Sequence, residues 1–234
     1  MLFPKVKAGS SKAAIAESVS ILTNKVVNNA KAGLSALEYA HALYDSLGLG
    51  KMGLAKEALD YAFKGHQKLV EEGLLSNPDI LTICDFTQSS LSKRMYILDV
   101  KNRKVLLNTY VAHGRNSGLD YAERFSNAPE SLESSLGFYV TKNTYSGKHG
   151  TSLKLSGLEE GFNNNAESRA VVVHGAPYIG EQRASSAYMG RSFGCPAVPQ
   201  VLAPKVIDLI KNGTCLFIYH PDQKYLTGSP ILNS

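Results

Sequence analysis

No run of this 234-residue chain approaches the ~18 consecutive apolar residues that a membrane-spanning helix needs, so no spanning helix is expected. An intact export signal is missing as well. Lys5, Lys7 and Lys12 interrupt any apolar centre between Met1 and Ser20, which leaves either a cytoplasmic protein or an exported one whose signal has been removed. Cysteines are too few for a disulfide framework: Cys84, Cys195 and Cys215 cannot all pair, and their separations match no zinc-ligand spacing. At least one thiol is left over, as a small buried hydrophobe or as a reactive group. Lys and Arg outnumber Asp and Glu by 25 to 20, for a net charge of +5. The basic residues are nevertheless scattered, the tightest group being Lys101, Arg103 and Lys104 at a predicted turn. With no basic stripe and no interleaved aromatics, nucleic acid is not the expected partner. Internal repeats and low-complexity tracts are absent.

What is present describes a soluble globular protein. Apolar residues make up 44% and charged residues 19%, over a length that buries a sizeable core without an external staple. From about Ser11 to Gly73 apolar residues recur at helical spacing: Ile15, Val19, Leu22 and Val26; Leu34, Leu37, His41 and Tyr44; Leu59, Phe63, His66 and Val70. These predict about three helices, packed as a small bundle or against the next domain, with His41 and His66 as structural residues on their stripes. Ser35 followed by Glu38 has the form of a capping box, and Gly48, Gly50, Gly53 and Gly73 supply stops.

After Ser76-Asn77-Pro78 the texture becomes β-branched and aromatic. Strands are predicted at Ile80 to Phe86, Arg94 to Asp99, Lys104 to Ala112, Gly137 to Thr141, Arg169 to His174 and Thr214 to Tyr219, with Lys101-Asn102-Arg103 as a hairpin turn. One helix is expected from about Val201 to Asn212, with Pro204 in its first turn and Gly213 as its stop. Stretches around 114–135 and 146–168 lack periodicity and read as long functional loops. The fold class is therefore α+β: a helical segment over 1–77 and a mostly β domain over 78–234.

Two residues stand where packing does not explain them. In Ala170-Val171-Val172-Val173-His174-Gly175-Ala176 a histidine ends an apolar strand just as the chain breaks at glycine. In Gly190-Arg191-Ser192-Phe193-Gly194-Cys195-Pro196-Ala197 a cysteine lies between glycine and proline, outside any apolar periodic run and ahead of a helix. A thiol with an ordinary pKa near ~8.5 is weakly ionised at neutral pH, and a neighbouring imidazole activates it. Backbone N–H groups near Gly194 and Cys195 are candidates for an oxyanion hole, with the downstream helix adding positive potential. Cys84 and Cys215 lie inside apolar strands and are expected to pack in the core, a disulfide between them being the other option.

His174-Gly175 followed by Ser192-x-Gly194-Cys195 resembles the signature of L,D-transpeptidase (YkuD-type) catalytic domains, with the spacing at the long end of the family range. Ser126-Asn127-Ala128-Pro129, Ser134-Ser135-Leu136-Gly137-Phe138-Tyr139 and Tyr145-Ser146-Gly147-Lys148-His149-Gly150 resemble the murein branch whose nucleophile motif is Gly-Arg-Ser-x-Gly-Cys-Pro. The likeness covers about Ile80 to Tyr219. It implies a mostly β domain, needing no metal or organic cofactor, that acts on peptidoglycan stem peptides. It also implies a periplasmic or cell-envelope location.

Carried over by resemblance, Cys195 is the nucleophile, His174 the base, and the Gly175 carbonyl the group that orients the imidazole. Gly194 belongs to the catalytic turn, and Ser192 to the substrate side of the motif. Two departures stand out: Phe193 replaces a family histidine, and Pro196-Ala197 replaces an apolar-Arg pair. Arg191 is the suggested replacement for that lost arginine, as a clamp on a substrate carboxylate. His149 either reaches the site or stands exposed on its loop. Tyr145 and Ser135 either meet substrate or order their own loops. The alternatives in function are an L,D-carboxypeptidase, with water as acceptor, and an inactive wall-binding module. A papain-like protease does not fit, because His174 precedes the cysteine.

Overall fold

Helix α1 runs from Ala36 to Leu47 because both its ends are chemically specified. Ser35 N–H donates to Glu38 Oε2 at 2.6 Å, Glu38 N–H donates back to Ser35 Oγ at 3.3 Å, and Gly48 closes the helix at φ 62°. The computed structural model describes residues 35–147 and 150–233, so the helix expected over Ile15 to Val26 lies outside the described residues. A short 3-10 turn, Leu49–Met52, leads to α2, Lys56–Glu71. The buried face of α1 is carried by Ala40 and Leu43, whereas Leu37 is half exposed at the mouth of the groove between α1 and α2. His41 Nε2 meets Asp60 Oδ1 of α2 at 3.0 Å, which ties the two helices together.

The β region forms one eight-stranded sheet. Its strands are β1 Ile80–Asp85, β2 Met95–Asp99, β3 Lys104–Thr109, β4 Gly137–Gly147, β5 Gly150–Gly157, β6 Val172–Ala176, β7 Ala197–Pro199 and β8 Cys215–Tyr219. The order is β3-β2-β1-β8-β4-β5-β6-β7, with β1–β8 and β6–β7 parallel and the other pairs antiparallel. Beyond β3 the chain bridges the two outer strands. Ala112 N–H donates to the Ala197 carbonyl at 2.8 Å, and Ser192 N–H to the His113 carbonyl at 3.0 Å. The Ala197 carbonyl, otherwise exposed at the β7 edge, is thus satisfied.

Helix α2 packs on this sheet at Gly65, where a Cβ would stand 2.0 Å from the Phe138 ring. The helix gives up roughly 1 kcal/mol of propensity there, and Phe138 gains room to stack on Phe217 at 4.1 Å. Leu43, Leu59 and Phe63 belong to the same buried cluster as Ile83, Phe138 and Phe217, so helices and sheet share one core. The predicted hairpin at 101–103 is present: Asn102 N–H donates to Asp99 Oδ1 at 2.8 Å, and Arg103 takes φ 52°.

The structure departs from the sequence reading in several places, among them β7, which was not predicted, and β4, which runs on from Thr141 to Gly147. The stretch 146–168 is not one loop, for it holds β5, whose Leu153 and Leu155 alternate inward between polar neighbours. The strand expected over Arg169 to His174 starts at Val172, because Ala170 takes a left-handed turn at φ 53°, and it does not end at His174 but runs on through Gly175 to Ala176. The helix after the cysteine, α3, is trimmed to Ala203–Ile210, with Pro204 in its first turn as expected. A further helix, α4, spans Gln223–Gly228 and is held by a buried carboxylate: Glu159 accepts from Phe138 N–H at 2.7 Å, from the Tyr225 hydroxyl at 3.0 Å and from Ser229 Oγ.

Two histidines are buried neutral. His66 Nε2–H donates to the Pro78 carbonyl at 2.8 Å, and His113 Nδ1 accepts from Arg94 Nη2 at 2.8 Å. Burial lowers both from 6.5 to about 4, with the Arg94 charge adding to the effect at His113. Between these values the unfolded chain binds protons that the folded chain does not, so stability is full above pH 6.5 and is lost as pH falls toward 4. Urea titrations at pH 7 and pH 5 should show a loss of about 1–2 kcal/mol per histidine. In His66→Gln that pH dependence should be shallower by one histidine's share.

Candidate active site

Register, more than proximity in sequence, assembles the site. Tyr145 on β4 pairs with Ser152 on β5, Ser152 with His174 on β6, and His174 with Ala197 on β7. Residues in register share a sheet face, so these four form one row, and the ~4.8 Å spacing of strands puts Tyr145 about 10 Å from His174. Cys195 lies two residues before Ala197, in a bend, and its carbonyl accepts from Ala197 N–H at 3.0 Å. The parallel β6–β7 ladder thereby sets the segment that bears Cys195 next to the strand that bears His174.

His174 is buried, and its Nδ1 lies 3.0 Å from the Gly175 carbonyl. A carbonyl only accepts, so Nδ1 carries the proton and Nε2 is the basic nitrogen of the neutral ring. Cys195 is partly exposed, and its thiol donates to the Ala170 carbonyl at 3.7 Å. Burial pushes this thiol above the ordinary cysteine value; a hydrogen bond from the Val172 backbone and the Arg169 guanidinium work in the opposite direction. The other two thiols are fully buried: burial raises Cys84 to about 12 and drives Cys215 up as well.

The turn that carries the thiol is tightly specified. Ser192 Oγ donates to the Cys195 carbonyl at 2.6 Å and accepts from Gly194 N–H at 3.1 Å. Gly194 takes φ 116°, and a Cβ there would stand 2.7 Å from the Glu133 carbonyl and 3.3 Å from Arg169 Nη2. Only glycine meets both conditions. Of the two backbone donors expected to line an oxyanion hole, Gly194 N–H is thus engaged by Ser192 Oγ.

A family model for L,D-transpeptidase catalytic domains matches residues 51–219, more than half of the chain. The chain belongs to this family. Among solved structures, it is similar to an L,D-transpeptidase from Mycobacterium smegmatis at 13% identity, covering 61% of this chain and 59% of that one, with a TM-score of 0.38. A second, from Xylanimonas cellulosilytica, is 16% identical over 80% of this chain and 94% of that one, with a TM-score of 0.35. A third, from Enterococcus faecium, is 14% identical over 60% and 50%, also with a TM-score of 0.35. The chain thus spans about three fifths of the length of the Mycobacterium smegmatis protein. No curated protein matches it. The family match begins at Lys51 and so takes in α2, upstream of the Ile80 start suggested by the motifs.

Within this L,D-transpeptidase domain the remaining candidates fall in different places. Tyr145 is on the face of His174, on an arm of the β4–β5 hairpin that is exposed from Lys142 onward, with Lys154 Nζ 5.9 Å from its ring centre. Arg191 Nη1 donates to the carbonyls of Arg115 at 2.8 Å and Gly118 at 3.0 Å, and its guanidinium lies 4.9 Å from the Tyr188 ring centre. Ser135 is buried, donating to the Ser126 carbonyl at 2.8 Å and accepting from Arg169 Nη1 at 2.5 Å. His149 lies outside the described residues. Phe193 is 70% exposed, with the Arg115 guanidinium 6.0 Å from its ring centre, so it forms an apolar rim beside the nucleophile. Among the described residues no cluster of three or more His, Cys, Asp or Glu could hold a metal ion.

Two neighbours of the thiol did not emerge from the sequence. Tyr178 feels the Cys195 charge in addition to its own burial, both of which raise its hydroxyl, and Arg169 flanks the nucleophile turn. Arg169 opened the predicted strand, and its charge at the end of an apolar run was the available signal.

Iodoacetamide should label native protein at Cys195 alone, with Cys84 and Cys215 labelled only after unfolding; peptide mass spectrometry checks this. Gly194→Ala should cost roughly 1–3 kcal/mol through its left-handed backbone. The same substitution should slow labelling of Cys195, read by thermal melting and alkylation rate together.

Proposed function

We propose that this chain is a peptidoglycan L,D-transpeptidase in which the Cys195 thiolate attacks the carbonyl of the third residue of a tetrapeptide stem. The observation that carries this reading is the His174–Gly175 contact: it leaves Nε2 as the base, on the strand paired with the segment that bears Cys195. His174 Nε2 takes the thiol proton as sulfur forms a bond to the carbonyl carbon, and the resulting oxyanion is met by Cys195 N–H. Collapse breaks the bond to the terminal D-Ala, whose amine takes a proton from His174. An amine of a neighbouring stem then attacks the thioester while His174 removes its proton, which yields a cross-link and regenerates the thiol.

Substrate binding is assigned to the rim. Arg191, held from one side by the Arg115 and Gly118 carbonyls, presents a fixed guanidinium for a stem carboxylate. Tyr145 lies along the strand row toward the base, and Ser135 contributes by holding Arg169. Residues 78–234 supply the chemistry, with α1 and α2 as its support. The substrate places the protein in the periplasm or cell envelope.

Mass spectrometry of disaccharide-tetrapeptide muropeptides incubated with wild type and with Cys195→Ala tests the proposal. Cross-linked dimers formed by wild type alone are the expected result. Tripeptide monomers alone would make the protein a carboxypeptidase, and untouched substrate in both samples would favour a binding module.

A further inference from the structure

The residues just ahead of β6 surround the nucleophile in a way that its own motif does not account for. Ala170 supplies the carbonyl that accepts from the thiol, Val172 supplies a backbone hydrogen bond, and Arg169 brings a guanidinium to the Gly194 side of the turn. Four consecutive residues thus contribute three contacts of different chemistry. The left-handed Ala170, at φ 53°, turns the chain between Arg169 and the strand.

Arg169 is fixed in position. Nη1 donates to the Ser126 carbonyl at 2.8 Å and to Ser135 Oγ at 2.5 Å; Nη2 donates to Ser131 Oγ at 3.1 Å and to the Glu133 carbonyl at 2.8 Å. Every one of these acceptors is neutral. The nearby Glu133 carboxylate pairs with Arg124 at 3.6 Å, and among the described residues Arg169 has no ion-pair partner. The Glu133 carboxylate acts on this guanidinium from a distance, and the guanidinium lies against the glycine that precedes Cys195.

We propose that Arg169 is a positioning residue of the reaction: it braces the 126–135 loop against the Gly194–Cys195 turn and holds a positive charge on the Gly194 side of that turn. The proposal rests on the reading of Cys195 as nucleophile. Its chemical consequence is that the guanidinium favours the thiolate that burial disfavours, so that His174 takes the thiol proton more readily. The imidazolium then passes that proton to the leaving amine, and the neutral ring later takes one from the attacking amine. The arginine that other family members carry after the cysteine is absent here, and Arg169 reaches the turn from the opposite side.

The test is the pH dependence of Cys195 alkylation, followed by peptide mass spectrometry on the full chain. The ionisable or charged groups facing the sulfur are His174 on β6, Tyr178 after it and Arg169 before it, with Glu133 behind Arg169. Arg169→Gln should raise the alkylation midpoint by roughly one pH unit. Arg169→Lys, which keeps the charge but loses the fork, should stay near wild type; a midpoint that moves as far as that of the Gln variant would reduce Arg169 to a brace. A folded Arg169→Gln with the wild-type midpoint would overturn the proposal. Should that variant not fold, wild type decides by itself: the ratio of iodoacetate to iodoacetamide rates at Cys195 should exceed that of free cysteine, and an equal or lower ratio rejects the idea. Failure of these arms with Cys195-dependent muropeptide dimers intact would remove Arg169 alone, while loss of the dimers would remove the nucleophile reading.

Discussion

Everything chemical in this molecule hangs on a parallel ladder of three residue pairs. His174–Ala197, Gly175–Val198 and Ala176–Pro199 fix how β7 lies along β6, and with it where the Cys195 turn stands relative to the imidazole. A slip of one residue would send His174 and the segment carrying the thiol to opposite faces of the sheet. The neighbouring parts of the fold guard against such a slip. Ala112 bonds to Ala197 from the far edge, and the small apolar cluster of Tyr110, Ala112, Ala176, Ile179, Met189 and Ala197 packs around the same short strands.

Around that ladder the site is built largely from backbone. The Gly175 carbonyl sets the tautomer of the base, the Ala170 carbonyl receives the thiol, and the hydroxyl of Ser192 closes the nucleophile turn on itself. Such groups need no side-chain reorganisation during a reaction, which is where preorganisation has its energetic advantage. Side chains enter at the periphery, as charge in Arg169 and Arg191 and as aromatic surface in Phe193, Tyr178 and Tyr145.

Much of this was legible in the residues, for identifiable reasons. The capping box at Ser35 and Glu38, the hairpin at Asn102 and the strands of the central sheet announce themselves through local chemistry that tertiary packing then used unchanged. His174 and Cys195 were visible because each breaks the apolar pattern around it. What escaped were features set by long-range partners. Strand β5 offers only Leu153 and Leu155 among polar residues, and its pairing with β4 and β6 supplies the rest. Helix α4 depends on Glu159, more than sixty residues away. Leu37 has the right spacing for the buried face of α1, yet lies in its first turn at the groove mouth. Arg169 looked like a strand end because its partners lie more than thirty residues upstream.

The distribution of sulfur has a consequence of its own. Cys84 and Cys215 are sealed in the sheet, so the only thiol an oxidant meets is Cys195. A sulfenic acid formed there has no resolving partner within the fold to capture it as a disulfide. Recovery of the oxidised protein must come from a reductant in its surroundings, and without one the sulfur is committed to irreversible oxidation. The redox poise of the compartment, as much as substrate supply, therefore sets how long each molecule stays competent.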